Sequence, residues 1–226
     1  MRSIGKSILE AIGNTPLLCL DDVFIKCEYL NPSGSIKARL AKYIVERAEK
    51  EGLLKKGMTI VEASSGNTGN ALSLVAAAKG YKMLVIMPEG YTNERVAISK
   101  AFGATVKLVG HFQVNEACEF ARKLGREKGY WSPSQFENEW NVEENSKWLG
   151  QEIMGQLPSS LTIDAIIQGV GTGGTLVGVG QALRKYHNPN LLVFAMEPSE
   201  SAILSCNEVS DHLIEGISDG FFPEIY

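Results

Sequence analysis

The sequence predicts an α/β protein, built as a two-lobed, three-layer sandwich in which parallel sheets carry helices on both faces. Three observations carry that expectation. Short apolar runs of four to six residues alternate with longer amphipathic runs along most of the chain. Two glycine-rich loops each lie between such a strand and the helix that follows it. One aromatic and polar stretch, 131–148, breaks the rhythm and divides it into two groups.

The elements follow in order. Residues 35–50 read as a helix with Ser35 at its N-cap. At about 100° per residue, Ile36, Leu40, Ala41, Ile44 and Ala48 share an apolar face, and Arg39, Lys42, Glu46, Glu49 and Lys50 fall opposite. A buried strand over 58–63 leads through a Gly/Ser/Asn loop into a helix over 70–79. Strand 82–87 ends at Pro88, and helix 93–102, strand 105–109 and helix 115–128 come next. The stretch 131–148, with Pro133 and a run of Asn and Glu, is read as the join between lobes, beside the cleft where such folds place a ligand. Strand 165–168, helix 176–186 and strand 191–196 resume the pattern, without internal repeat or low-complexity segment.

Composition narrows the function. The 226 residues are 44% hydrophobic and 21% charged, enough apolar material for one large domain or two small lobes. A net charge of −4 and a pI near 5.5 give no general pull toward nucleic acid or anionic membrane, so any phosphate must be held locally. Cys19, Cys27, Cys118 and Cys206 are scattered and the chain has only three histidines, so no metal site is expected and the thiols read as idle in a reducing cytosol. Neither residues 1–14 nor any later run resembles a leader or a membrane span; the expectation is a cytoplasmic protein.

Lys37 lands within the apolar face of the first helix. A lysine turned inward at a helix N-terminus is desolvated and meets the positive end of the helix dipole. Both effects favour the neutral amine that attacks a carbonyl to form a Schiff base. The competing reading is a first-turn side chain that runs out to water.

The first loop, Ser64-Ser65-Gly66-Asn67-Thr68-Gly69, offers hydroxyls, an amide and backbone N–H groups at a helix start, which suit a carboxylate. A tight connection with a Ser/Thr cap would look alike. The second, Gly169-Val170-Gly171-Thr172-Gly173-Gly174-Thr175, can bring several N–H groups onto one phosphate. It also contains G-x-G-x-x-G, and Glu197 at the end of the next strand stands where a ribose-binding acid would, so a nicotinamide-dependent oxidoreductase is a competitor. With no Walker lysine, a P-loop hydrolase is not expected. The oxidoreductase reading leaves Lys37 and the first loop without a role. An aldehyde carrying a phosphate uses all three features, and pyridoxal 5′-phosphate (PLP) is such a ligand.

Further motifs fall in a recognisable order. Ile12-Gly13-Asn14-Thr15-Pro16-Leu17 opens the chain, and Lys26, Glu28 and Asn31-Pro32-Ser33-Gly34-Ser35-Ile36-Lys37 with Arg39 follow. Met87-Pro88-Glu89 with Glu94-Arg95, Gln135-Phe136, Glu197-Pro198 and Gly216-Ile217 complete the series. From about residue 8 to about residue 224 the chain resembles the family of cysteine synthase (O-acetylserine sulfhydrylase) and cystathionine β-synthase. The resemblance implies PLP fold type II, the tryptophan synthase β-like architecture, as a homodimer. It implies a large phosphate-binding lobe from 1–34 plus 141–226, C-terminally incomplete, and a smaller mobile lobe from 35–140.

Carried onto this chain, the family's pattern makes Lys37 the cofactor lysine, which also takes the substrate α-proton. Asn67 would bond the ring hydroxyl, while Gly171, Thr172, Gly173, Gly174 and Thr175 would hold the phosphate. Ser64, Ser65, Gly66, Thr68 and Gln135 would bind the substrate, chiefly its carboxylate, with Gly216 lining the site. The implied reaction expels a β-leaving group from O-acetylserine or O-phosphoserine and adds sulfide, giving L-cysteine. A cystathionine β-synthase-type replacement on serine is the near alternative, and a dehydratase fits the Ser-Ile-Lys-Ala-Arg context less well. Ala38 stands where the family commonly has Asp, and Ser64 where Thr is usual. Relatives also continue beyond the Gly-Phe-Phe-Pro segment for roughly another quarter of the chain, which supplies sheet, helix and a Ser or Thr that meets the pyridine nitrogen. Ending at Tyr226 would expose apolar surface and a strand edge, giving marginal stability or association, and a non-catalytic remnant is the further alternative.

Overall fold

The computed structural model describes residues 5–90, 93–111 and 114–226, so the first four residues of the N-terminal stretch lie outside it. The chain forms two compact units, 1–134 and 135–226.

The first unit is organised on a four-stranded, all-parallel sheet of order β5-β4-β3-β6. Its strands are β3 (Thr59–Ala63), β4 (Lys82–Glu89), β5 (Thr105–His111) and β6 (Tyr130–Trp131). Because side chains alternate along a strand, β3 and β4 bury both faces. Val61, Ala63 and Ile86 pack against Ala117 and Ala121 of helix α4 (Val114–Gly125). Val85 meets helix α2 (Asn67–Lys79) on the other face, where a Cβ on Gly69 would stand 3.0 Å from its Cγ1. Helix α2 is buried nearly all round and ends on Gly80, whose φ of +76° is the left-handed stop that glycine supplies without strain. Helix α1 (Lys37–Lys50) packs against α2. Ahead of it, β1 (Leu17–Leu20) and β2 (Val23–Lys26) form a separate antiparallel hairpin. One face of that hairpin leaves Leu18, Leu20, Val23 and Ile25 exposed.

The second unit contains a parallel pair, β7 (Ala165–Gly169) and β8 (Leu192–Met196), joined through helix α7 (Gly174–Tyr186). Val193 packs toward Gly180 of α7, while Ile167, Leu192, Phe194 and Met196 share the outer face and are 45–70% exposed. The interrupting stretch of the sequence is more than a connector. From residue 140 it is helical: α5 (Trp140–Glu144), a π-helical turn over Asn145–Leu149, and α6 (Gly150–Gln156) run on without a break. Asn138 opens the run by accepting the Trp140 N–H at 3.0 Å. Glycines let it close on α7, since a Cβ on Gly178 would lie 2.5 Å from the Val142 carbonyl and one on Gly150 2.7 Å from Ala182. Among the described residues no helix is long and apolar enough to cross a membrane, and no group of three or more metal-ligating side chains gathers.

Candidate active site

In the first unit, Lys37 opens α1 and is half-buried. The helix begins two residues later than expected, and its N-cap is Ile36 rather than Ser35, with no capping side chain; Ser35 Oγ accepts only the Lys37 N–H, at a long 3.3 Å. Leu40, Ala41, Ile44 and Ala48 are buried, as the apolar stripe requires, while Ile36 lies ahead of the helix and is half-buried. Arg39 corrects the sequence reading. It was expected on the solvent side, but it is fully buried, its Nε and Nη2 bonding the two carboxylate oxygens of Glu28 at 2.7 and 2.8 Å. Glu28 also accepts from the Thr15 hydroxyl at 2.6 Å and from Asn31 Nδ2 at 2.8 Å. This buried fork ties the chain before α1 to the turn that carries Lys37.

The Ser64 loop turns from β3 into α2, which starts at Asn67 and so takes Asn67 and Thr68 into its first turn. Ser64 Oγ accepts the N–H groups of Gly66 and Gly69 at 3.1 and 2.9 Å. With two N–H donors on that oxygen, its own proton remains for an outside acceptor. Thr68 is buried, Ser65 half-buried and Asn67 exposed. Arg95 of helix α3 (Asn93–Ala101) lies over the loop, donating to the Ser65 carbonyl at 2.5 Å. A Cβ on Gly66 would come within 3.2–3.3 Å of that arginine.

In the second unit, the loop after β7 passes into the N-terminus of α7, where first-turn N–H groups lack helical partners. Gly173 has φ +85°, and a Cβ on Gly171 would lie 2.7 Å from the Gly216 carbonyl oxygen. The turn therefore admits backbone and little else. Ser218 N donates to the Val170 carbonyl at 2.9 Å, so the 216–218 segment is fastened beside the glycine turn. Gln135 is brought near by Asn141, whose Nδ2 donates to the Gln135 carbonyl at 3.0 Å and to Thr172 Oγ1 at 2.8 Å. Within this unit the structure thus gathers Gln135, Gly171, Thr172 and Gly216.

Glu197 is engaged elsewhere. Its carboxylate accepts from the N–H groups of Leu204 and Ser205 and from the Ser205 hydroxyl, at 2.6–3.0 Å, and so caps the short helix α8 (Ile203–Cys206). Desolvation pushes its pKa up, but these three hydrogen bonds together outweigh it and hold the carboxyl below the ordinary range. A ribose-binding acid would need those oxygens free.

Sequence reasoning missed the Arg39–Glu28 fork, the Arg95 contact and Asn141. Asn141 and Asn145, four residues apart and both buried, carried a signal: paired polar residues at helical spacing on an inward face.

Residues 8–226 match the family of pyridoxal-phosphate dependent enzymes, and the chain belongs to that family. A cysteine synthase of Staphylococcus aureus is 44% identical, over 96% of this chain and 72% of its own length. The crystal structure of O-ureido-L-serine synthase superposes with a TM-score of 0.93 at 38% identity, over 99% of this chain and 73% of that one. A cysteine synthase from Entamoeba histolytica matches at TM-score 0.90 and 35% identity, over all of this chain and 70% of its own. The architecture is accordingly the α/β, parallel-sheet fold of type II PLP enzymes. The oxidoreductase reading falls away with it.

Proposed function

We propose that this chain catalyses PLP-dependent β-replacement, making L-cysteine from an activated serine and sulfide. The observation that carries the proposal is the glycine turn at the start of α7, where the Gly216 carbonyl stands 2.7 Å from a Cβ on Gly171 and bars a side chain. Such a cradle suits a phosphate ester held by backbone N–H groups, and half-buried Lys37 suits its aldehyde; the residues present fit PLP. Gly171, Thr172, Gly173, Gly174 and Thr175 would hold the phosphate, Lys37 the aldehyde carbon and Asn67 the ring hydroxyl. When bound, PLP withdraws electrons from the substrate α-carbon, which makes loss of the β-substituent feasible.

The chain's own groups do the rest. The Lys37 amine takes the α-proton, being tethered beside the carbon that loses it. The Ser64 hydroxyl, already accepting two N–H bonds, donates to the substrate carboxylate. Ser65, Gly66, Thr68 and Gln135 complete that carboxylate site, and Gly216 walls the pocket. The lobes are proposed as 1–34 plus 141–226 and 35–140, a division that differs from the compact units 1–134 and 135–226 chiefly in where it assigns 1–34. The exposed apolar faces of β1–β2 and β7–β8 favour a homodimer.

The test is turnover. The PLP-loaded protein is given sulfide with O-acetylserine, O-phosphoserine or serine, and cysteine is quantified. Cysteine from one donor, abolished in Lys37→Ala, is expected. No cysteine from any donor, with folded and PLP-loaded protein, would contradict the proposal.

A further inference from the structure

We infer that Asn141 is a positioning residue that sets the direction of the Thr172 hydroxyl and couples the phosphate turn to the Gln135 segment. This rests on the PLP reading above. Asn141 is 1% exposed and Thr172 4% exposed, so neither side chain exchanges partners freely with water. The orientation of the Asn141 amide is fixed from both ends. Its Nδ2 faces the Gln135 carbonyl, which can only accept, and its Oδ1 receives the Asn145 Nδ2 at 3.3 Å. Asn145 also bonds the Asn141 carbonyl at 2.8 Å, anchoring the pair where α5 passes into the π-helical turn, a feature often found at functional sites.

The consequence falls on Thr172. Its Oγ1 accepts from Asn141 Nδ2 at 2.8 Å and, at a longer 3.4 Å, from Gly174 N. Both neighbours are donors, so neither can take the hydroxyl proton, which is left to donate to an anion in the turn. Close packing holds the arrangement, since a Cβ on Gly174 would lie 2.2 Å from Asn141 Oδ1. One amide thus does two things. It makes the hydroxyl a phosphate donor, and it ties that donor to the backbone of Gln135, a proposed substrate-binding residue.

The substitution series separates this role from simple support. Asn141→Ala releases the hydroxyl to rotate, and PLP affinity should fall roughly ten-fold to a hundred-fold, the effect of losing one directed bond to a charged group. Asn141→Asp keeps the shape but puts acceptors beside Thr172, which capture its proton. Its PLP affinity should be lower than that of Asn141→Ala, with the ³¹P resonance of bound PLP displaced in both. In a Thr172→Val background Asn141→Ala should add little, whereas in Thr172→Ser it should keep its effect. Wild-type affinity in Asn141→Ala, wild-type affinity in Asn141→Asp, or full additivity with Thr172→Val would each overturn the inference.

Amide exchange of the cofactor-free protein tests the coupling without PLP. Asn141→Ala should speed exchange in 135–138 and 171–176 together while leaving 59–63 unchanged. Acceleration in one segment alone, or in all three, would refute it. Coupled exchange in a protein that never binds PLP would leave the coupling standing and remove the cofactor reading instead.

Discussion

Replacing Arg39 by methionine probes how Lys37 is held. The guanidinium is fully buried and bonds both Glu28 oxygens, at 2.7 and 2.8 Å, with Thr15 Oγ1 at 3.3 Å from Nη2. Methionine fills much of the volume but leaves the Glu28 carboxylate, whose side chain is 12% exposed, without its guanidinium. Breaking a buried pair from one side costs about 3–5 kcal/mol, a large part of a total stability of about 5–15 kcal/mol. At about 2–4 °C per kcal/mol for a chain of this size, the midpoint of thermal unfolding should fall by about 6–20 °C. Removing the stranded charge as well should reverse much of that loss, because two neutral groups need no mutual compensation. Urea denaturation of Arg39→Met, Glu28→Gln and the double substitution closes the cycle, with an expected coupling above about 2 kcal/mol. A single-substitution cost below about 1 kcal/mol, or additivity within about 0.5 kcal/mol, would refute the reasoning.

Three further predictions follow from the same geometry. Ser64→Ala strands the Gly66 and Gly69 N–H groups, now held at 3.1 and 2.9 Å, and should cost about 1–3 kcal/mol in urea denaturation and raise KM for the amino-acid substrate. Glu197 has a folded pKa below its unfolded value, so its cap is fully present above the ordinary carboxylate range and is lost as pH falls through the folded pKa. Exchange at Leu204 and Ser205 should therefore accelerate on acidification, and in Glu197→Gln this pH dependence should vanish. Phe194 is 49% exposed on the outer face of β7–β8, and Phe194→Lys should weaken self-association measured by sedimentation equilibrium while leaving secondary structure intact.

Much of the fold was legible because local pattern and tertiary role agree. The apolar runs of β3 and β4 are buried on both faces, and the two Gly-rich loops do turn into α2 and α7. Legibility failed where burial depended on a distant partner. Arg39 reads as a solvent charge until Glu28, eleven residues earlier, supplies both carboxylate oxygens. The helix from Trp140 was hidden because Asn141, Glu144 and Asn145 occupy buried positions that an apolar period should fill. For Asn141 and Asn145 the reason for being polar is the network around Thr172 and Gln135, which only the packing of α5 on α7 reveals. Lys37 shows both sides: the helical wheel singled it out, but its half-buried setting at the first turn comes from where α1 begins.

The central claim is that Lys37 carries PLP. The direct measurement is the visible spectrum of the purified protein with PLP, followed by borohydride reduction and peptide mass mapping. The account predicts the absorption band of lysine-bound cofactor and a pyridoxyl label on Lys37. A folded protein that shows no band, or one labelled at a different lysine, would contradict it.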